Sequence, residues 1–449
     1  MIYLLLFGLL AGFDVLEVGS AGGHPTIAAA LEAAQPGDTI RVYAGVYREH
    51  LVIAKPVVLQ GEPGAILDGG GEGVVLHVRA PAAVTGFVIR GSGANQAEEH
   101  AGVLVEDANG VVIENNVLED VLFGIYVKES DRAVIRGNRI EGKDLPVPLR
   151  GDGIRLWYSH GGLIESNTVD RSRDVVIWFS DSTTAVGNRI SASRYGLHYM
   201  YSDHNDFRDN EFVANHVGAF LMYSNDIVFR GNVFADARGV TGRGLGFKDT
   251  DSVSAGGNVI VRNAIGVSID NSPTTTGVVN RFTDNVIAFN DVGVQLLPSV
   301  RANEFRDNDF LGNVVPVAVT GAGDALKNRW SSNYWSEYAG FDRDDDGRGD
   351  SPYVYQRLSD DLLTRHEELR VFNLGTAAAA LDALSRALPL LTPTPIVVDS
   401  FPRIERRVTG DERGAPREPR STLAAGLLGM SLAALVVTFR LRRSVGSAR

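Results

Sequence analysis

Apolar and polar positions alternate in short runs through most of this chain, as in Gly124-Ile125-Tyr126-Val127, Gly153-Ile154-Arg155-Leu156 and Gly196-Leu197-His198-Tyr199, and no helical period builds up across them. Gly, Asn, Asp and Ser separate the runs, which predicts short strands closed by turns. An asparagine marks the beat. It recurs at Asn116, Asn138, Asn167, Asn188, Asn210, Asn232, Asn258, Asn285 and Asn308, with gaps of 22, 29, 21, 22, 22, 26, 27 and 23 residues. Self-similarity at that period belongs to stacked repeats, and parallel strands with no helices between them predict an all-β, right-handed parallel β-helix. Asn suits such a corner because it tolerates left-handed backbone angles.

Eight residues before five of these landmarks stand Ser130, Ser159, Ser180, Ser202 and Ser224. The turns are therefore in register, and these serines should form one column with neighbours about 4.8 Å apart. In the strand before each serine, alternation sends Ile154, Leu156, Val175, Ile177, Leu197, Tyr199, Ala219 and Leu221 inward. It sends two rows outward: Arg155, Val176, His198, Phe220 and Trp157, Trp178, Met200, Met222. A third row, Tyr158, Phe179, Tyr201 and Tyr223, sits at the strand ends, where alternation does not fix the facing.

The pattern divides the chain as follows: 1–13, an apolar N-terminal or signal segment; 14–318, the β-helix; 319–357, an aromatic and acidic cap. Then come 358–402, a helical and extended closing segment; 403–420, a linker; 421–439, an uncharged stretch long enough to span a bilayer as a helix; and 440–449, a basic tail. Thr26 is placed to cap a short helix from Ile27 to Ala34 that would cover the open edge of the first turn. Thr376 to Leu388 also reads as helical. Arg440, Arg442, Arg443 and Arg449 after the stretch place the tail in the cytoplasm and the β-helix outside. With a net charge of −12 the chain is no nucleic-acid binder, and with no cysteine it has neither disulfides nor thiolate ligands.

An outward stripe of Trp157, Trp178, His198, Met200 and Met222 needs cover. A long loop or the C-terminal segment of the chain could supply it; so could a partner protein. Met200 and Met222 are the only methionines between Met1 and Met430. They fall one turn apart beside His198, and thioether and imidazole ligands suit Cu(I). A second cluster is Asp342-Arg343-Asp344-Asp345-Asp346-Gly347-Arg348-Gly349-Asp350. Asp342, Asp344, Asp346, the Arg348 main chain and Asp350 follow the spacing of a Ca²⁺ loop, although Tyr353 stands where its last carboxylate belongs.

Three segments carry a family resemblance: Arg194-Tyr195-Gly196-Leu197-His198-Tyr199-Met200-Tyr201-Ser202, Arg150-Gly151-Asp152-Gly153-Ile154-Arg155-Leu156-Trp157 and Asn333-Tyr334-Trp335-Ser336-Glu337-Tyr338-Ala339-Gly340-Phe341-Asp342. Together with the Asp-rich run and Asp399-Ser400-Phe401-Pro402, they resemble the NosD family of nitrous-oxide reductase maturation proteins. The likeness spans roughly residues 30 to 402. It implies an extracytoplasmic β-helix, not an enzyme, that works with an ABC-type ATPase and permease. The implied task is assembly of the copper centres of nitrous-oxide reductase, with a copper-chaperone lipoprotein as a further partner. The family motifs carry over no catalytic residue. The span at 421–439 departs from the family's soluble exported members and suggests a tether of its own. Two other classes remain open on the residues. A polysaccharide lyase or hydrolase could use Asp152, Asp170, Asp174 and Arg194; a surface adhesion or scaffold protein would need none of them.

Overall fold

The asparagines that mark the beat turn inward and bind one another. The structure, a computed structural model, describes residues 14–407 apart from 20, 22, 322, 360–375 and 389–392. Three short strands make up a turn, for example Tyr195–Met200, Asp206–Arg208 and Glu211–Val213. Each pairs in parallel with its counterpart one turn on, His198 facing Phe220 and Met200 facing Met222. The stack runs from Val15–Val18 on Thr39–Val42 to Asp309–Leu311 on Tyr334–Trp335. It is a parallel β-solenoid. It extends beyond Ala318, where the sequence pattern was read as ending, because Arg329–Ser331 still pairs with Asn303–Arg306. The inward residues there change from Phe305 and Phe310 to Trp330 and Trp335, which hides the repeat while stacking ring on ring, Phe305 on Trp330 and Phe310 on Trp335 at 4.2 Å each.

The corner differs from expectation in one respect. Asparagine does not adopt the left-handed angles itself; the residue before it does. Asn115, Ser166, Asp209, Asp284 and Asp307 have φ of 55°, 55°, 53°, 56° and 60°. The asparagines are buried instead. Asn210 Oδ1 accepts from Asn188 N at 3.0 Å and from Asn188 Nδ2 at 2.9 Å, while Asn210 Nδ2 donates to Ala185 O at 2.9 Å. The same links join every landmark from Asn116 to Asn333. A side-chain amide both donates and accepts, so it satisfies main-chain groups that a buried corner would leave bare. The predicted serine column stands beside it. Main-chain N–H groups of Ser130, Ser159, Ser180 and Ser202 donate to the Oγ of the next serine at 3.1, 3.1, 2.9 and 3.1 Å. Thr250 and Ser272 prolong it, linked at 2.9 Å.

Both ends of the stack are closed. Thr26 Oγ1 accepts from Ala29 N at 3.1 Å and starts the helix Ile27–Ala33, which buries Ile27 and Ala30 on the first turn. Lys55 Nζ donates to the carbonyls of Leu31, Glu32 and Ala34 and completes the other end of that helix. At the far end Asp399, fully buried, terminates the asparagine ladder. Its Oδ2 accepts from Asn333 N, Asn333 Nδ2 and Trp335 Nε1 at 3.0, 3.0 and 3.2 Å, and its Oδ1 from Ser332 N at 3.1 Å. A carboxylate only accepts, so the last rung leaves no donor without a partner. Arg403 locks the same strand down, donating to the carbonyls of Ser332, Asp307 and Asn308 and to the Asp309 carboxylate.

The expected C-terminal helix is present as Thr376–Ala387. The proposed span Ser421–Phe439, the apolar segment 1–13 and the basic tail lie outside the described residues. No helix among the described residues is long and apolar enough to cross a membrane.

Candidate functional site

Strand alternation divides the side chains of four successive turns as the sequence predicts. Ile154, Leu156, Val175, Ile177, Leu197, Tyr199, Ala219 and Leu221 join the core. On the outer side Trp157 faces Trp178, Trp178 faces Met200 and Met200 faces Met222. All four are partly exposed. The next rungs are Lys128 on one side and Lys248 on the other, so charge brackets the apolar row at both ends. The third row is now placed. Tyr158, Phe179, Tyr201 and Tyr223 occupy the left-handed corners, with φ of 48°, 51°, 48° and 54°. Their rings stack at 4.6, 5.1 and 5.0 Å. Left-handed angles cost an ordinary residue about 1–2 kcal/mol; face-to-face stacking along the column offsets that cost.

Beside the apolar row runs a buried ionic one. The Arg155 guanidinium lies over Tyr126, Trp157, Trp178 and Phe123 at 4.9, 5.0, 5.6 and 5.9 Å, an aromatic box that holds a cation with little solvent. Its Nη1 is 3.5 Å from Asp152, which is fully buried and also bound by Arg173 at 3.1 Å. Burial pushes the Asp152 carboxyl above the ordinary carboxylate value, against the pull of Arg173. At Asp174 burial works in the same direction, but hydrogen bonds from His198 and Arg194 and the Arg194 charge outweigh it and hold that carboxyl below its ordinary value. Asp174 Oδ1 accepts from Arg194 Nε at 2.9 Å and from Tyr195 N at 3.2 Å. Its Oδ2 is 3.2 Å from His198 Nδ1.

His198 is therefore held on three sides. Tyr195 stacks on its ring at 4.8 Å, Trp178 meets it edge-on at 4.9 Å, and Asp174 engages one nitrogen. Sequence reading singled out His198, Met200 and Met222 but missed the clamp. It placed Asp174 with Asp152, Asp170 and Arg194 as a hydrolase or lyase set. The structure keeps Asp152, Asp174 and Arg194 together, with Arg173 between the two carboxylates, and sets only Asp170 apart. Asp170 lies on another sheet and accepts from Ser191 Oγ at 2.8 Å, while Asp152 and Asp174 are taken up by guanidinium groups. Counting by the 22-residue offset of Val176 on His198 would set Asp174 opposite Gly196 rather than Tyr195, so the spacing carries no signal for the clamp.

Among the described residues, part of the row is packed against the chain itself. Trp157, and Leu145 from the loop between Gly142 and Val147, pack on an outer cluster of Ala101, Leu104, Leu122, Phe123 and Tyr126. The acidic loop is ordered by its own hydrogen bonds. Carboxylate oxygens of Asp342, Asp344 and Asp346 lie within 4.8 Å of one another. Asp342 accepts from Gly347 N at 2.8 Å, and Gly347 has a φ of 82°. Asp350 is drawn off to cap Arg343 N at 2.7 Å. Main-chain bonds, Gly349 N to Pro402 O at 2.8 Å and Ile404 N to Gly347 O at 3.1 Å, tie the stretch around Arg348 to the closing strand.

A family model described as a periplasmic copper-binding protein (NosD) matches residues 64–148 and 141–340, which include the whole outer row. A protein of Pseudomonas aeruginosa named "Probable ABC transporter binding protein NosD" is 31% identical over 448 residues, covering 88% of this chain and 94% of its own. A protein of the same name from Stutzerimonas stutzeri is 29% identical over 419 residues, covering 81% and 86%. Among solved structures, the A-module of the mannuronan C-5 epimerase AlgE6 of Azotobacter vinelandii is similar with a TM-score of 0.46. That likeness is 14% identical and covers 68% of this chain and 93% of that one; at this level it says nothing of chemistry.

Proposed function

The chain belongs to the NosD family of periplasmic copper-binding proteins, and from that premise we propose that it supports assembly of the copper centres of nitrous-oxide reductase through its outer tryptophan–methionine face. In this reading the face docks a partner, and His198, Met200 and Met222 handle Cu(I) in transit. The observation that carries it is the register: one partly exposed row aligns Trp157, Trp178, Met200 and Met222, with His198 on the same side of the same strand. Large apolar side chains left bare cost solvation, and aromatic anchors carry much of the binding energy at interfaces. The residues fit copper: thioethers and an imidazole are soft enough for Cu(I), and without a thiolate they make a site that exchanges its ion readily. The partners are an ABC-type ATPase and permease, with a copper-chaperone lipoprotein and the reductase itself completing the route.

The test separates docking from ligation. A Met200→Leu, Met222→Leu variant keeps volume and apolarity but removes sulfur. Its Cu(I) affinity, read by competition with a chromophoric chelator, should fall at least about tenfold, a loss of roughly 1.4 kcal/mol. Capture of the ATPase and permease should not change. Unaltered Cu(I) affinity with full reductase maturation would end the ligand role and leave docking alone.

For location we propose that the solenoid stands outside the cytoplasmic membrane and is tethered by Ser421–Phe439, because an uncharged stretch of that length is followed by Arg440, Arg442 and Arg443. Protease added to spheroplasts should digest the solenoid and spare a tag fused after Arg449. Release of the intact protein by high salt contradicts the tether.

A further inference from the structure

We propose that Asp174 is a positioning residue that fixes His198 in the Nδ1–H form and so presents the Nε2 lone pair outward, toward a soft cation. The proposal rests on the copper reading of this face and adds to it how the imidazole is made ready. Two features of the chain put Asp174 there. The register between Asp174–Trp178 and Tyr195–Met200 shifts between Asp174 and Val176: Asp174 aligns with Tyr195, but Val176 aligns with His198. One extra residue is thus taken up on the second strand, and bulges of this kind re-aim side chains. Gly196 lies in that extra stretch, where an added Cβ would sit 2.5 Å from Gly218 O, so the bulge has room for glycine alone.

The result is that His198 Nδ1 faces Asp174 Oδ2 at 3.2 Å. A carboxylate has no hydrogen to give, so the proton on this bond is carried by Nδ1. Arg194 is bound to the same carboxylate and holds it in place beside the ring. In the neutral ring Nε2 then holds the free pair. It has no hydrogen-bond partner among the described residues, and it is not among their buried unpaired atoms. Stacking on Tyr195 and the edge of Trp178 prevents the ring from turning over. A histidine ligand whose other nitrogen donates to a carboxylate is the usual arrangement for holding a metal, and loss of that partner typically costs about 10–100-fold in affinity.

The experiment uses the full chain, with long-range proton–nitrogen correlation spectra to identify the His198 tautomer and Cu(I) itself as the probe of affinity. Wild type should show the Nδ1–H form. Asp174→Asn keeps the shape and the Arg194 contact but can offer an N–H toward Nδ1; it should shift His198 to the Nε2–H form and weaken Cu(I) at least about tenfold. Arg194→Gln disturbs the same buried cluster yet keeps the carboxylate, so its tautomer should stay Nδ1–H even if the protein is less stable. Should Asp174→Asn fail to fold, the wild-type and Arg194→Gln spectra still decide the matter. An Nε2–H form in wild type overturns the proposal, and so does an unchanged tautomer in a folded Asp174→Asn protein. A His198→Ala variant with wild-type Cu(I) affinity would overturn the copper reading instead, a result separate from the tautomer.

Discussion

Replacing Trp157 and Trp178 together by Asp should abolish capture of the ATPase and permease while far-ultraviolet circular dichroism shows the solenoid intact. The two rings lie one above the other, 5.6 Å apart, in a row that ends in lysine on either side. Interface hot spots of this residue type cost about 2 kcal/mol or more each on truncation, so losing both should weaken capture by more than about 100-fold. The fold should tolerate the change, since neither ring belongs to the central core. The check is co-purification of the intact chain with the transporter from its own membrane. Undiminished capture by the Asp variant would mean that the row is no docking surface.

The second large effect lies at the other end of the molecule. Asp399→Ala should destabilise the protein by about 4 kcal/mol, because it strips the acceptor from four buried donors at once: Ser332 N, Asn333 N, Asn333 Nδ2 and Trp335 Nε1. Asp399→Asn should be milder, since one amide oxygen can still accept while its NH₂ becomes a buried donor in search of a partner. Denaturant midpoints measured with the slope unchanged report both. A loss under about 1 kcal/mol for Asp399→Ala would show that the ladder does not depend on its terminal rung.

The stack was legible in the sequence because its period is written in residue types. Asn and Ser recur where the turn buries main-chain groups, and the inward strand positions are apolar. Counting from Asn138 or Asn188 therefore located the serine column and the outer row without coordinates. The corners were misread because Asn has two uses, at left-handed angles and as a buried amide, and the spacing is the same for both. Asp209 and Asn210 show the division of labour, the first bent and the second bonded. The extra turn past Ala318 was hidden because tryptophan takes over core positions that phenylalanine fills in the turn before it. The histidine clamp was illegible for a different reason. It depends on a one-residue register shift at Gly196, which no period reveals, and on Asp174 and His198 approaching from adjacent turns. The outer row was named correctly as a set, but its Arg155 box needed the third dimension.

The asparagine ladder has a direction. From Asn116 to Asn333 every Oδ1 accepts from the N-terminal side, where Phe87 N supplies Asn116 Oδ1, while each Nδ2 gives one hydrogen to the next rung and the other to a main-chain carbonyl of the preceding turn. Aligned amide dipoles add head to tail, and hydrogen bonds in such a chain polarise one another, much as peptide dipoles sum along a helix. The links from rung to rung all point one way, so they contribute a positive end at the closing turn and a negative end at the opening one. Asp399 sits on the positive pole with Asp309 nearby, and the loop from Asp342 to Asp350 is tied down over the same closing strand. Acidic side chains at that end are placed to complement the positive end of the ladder.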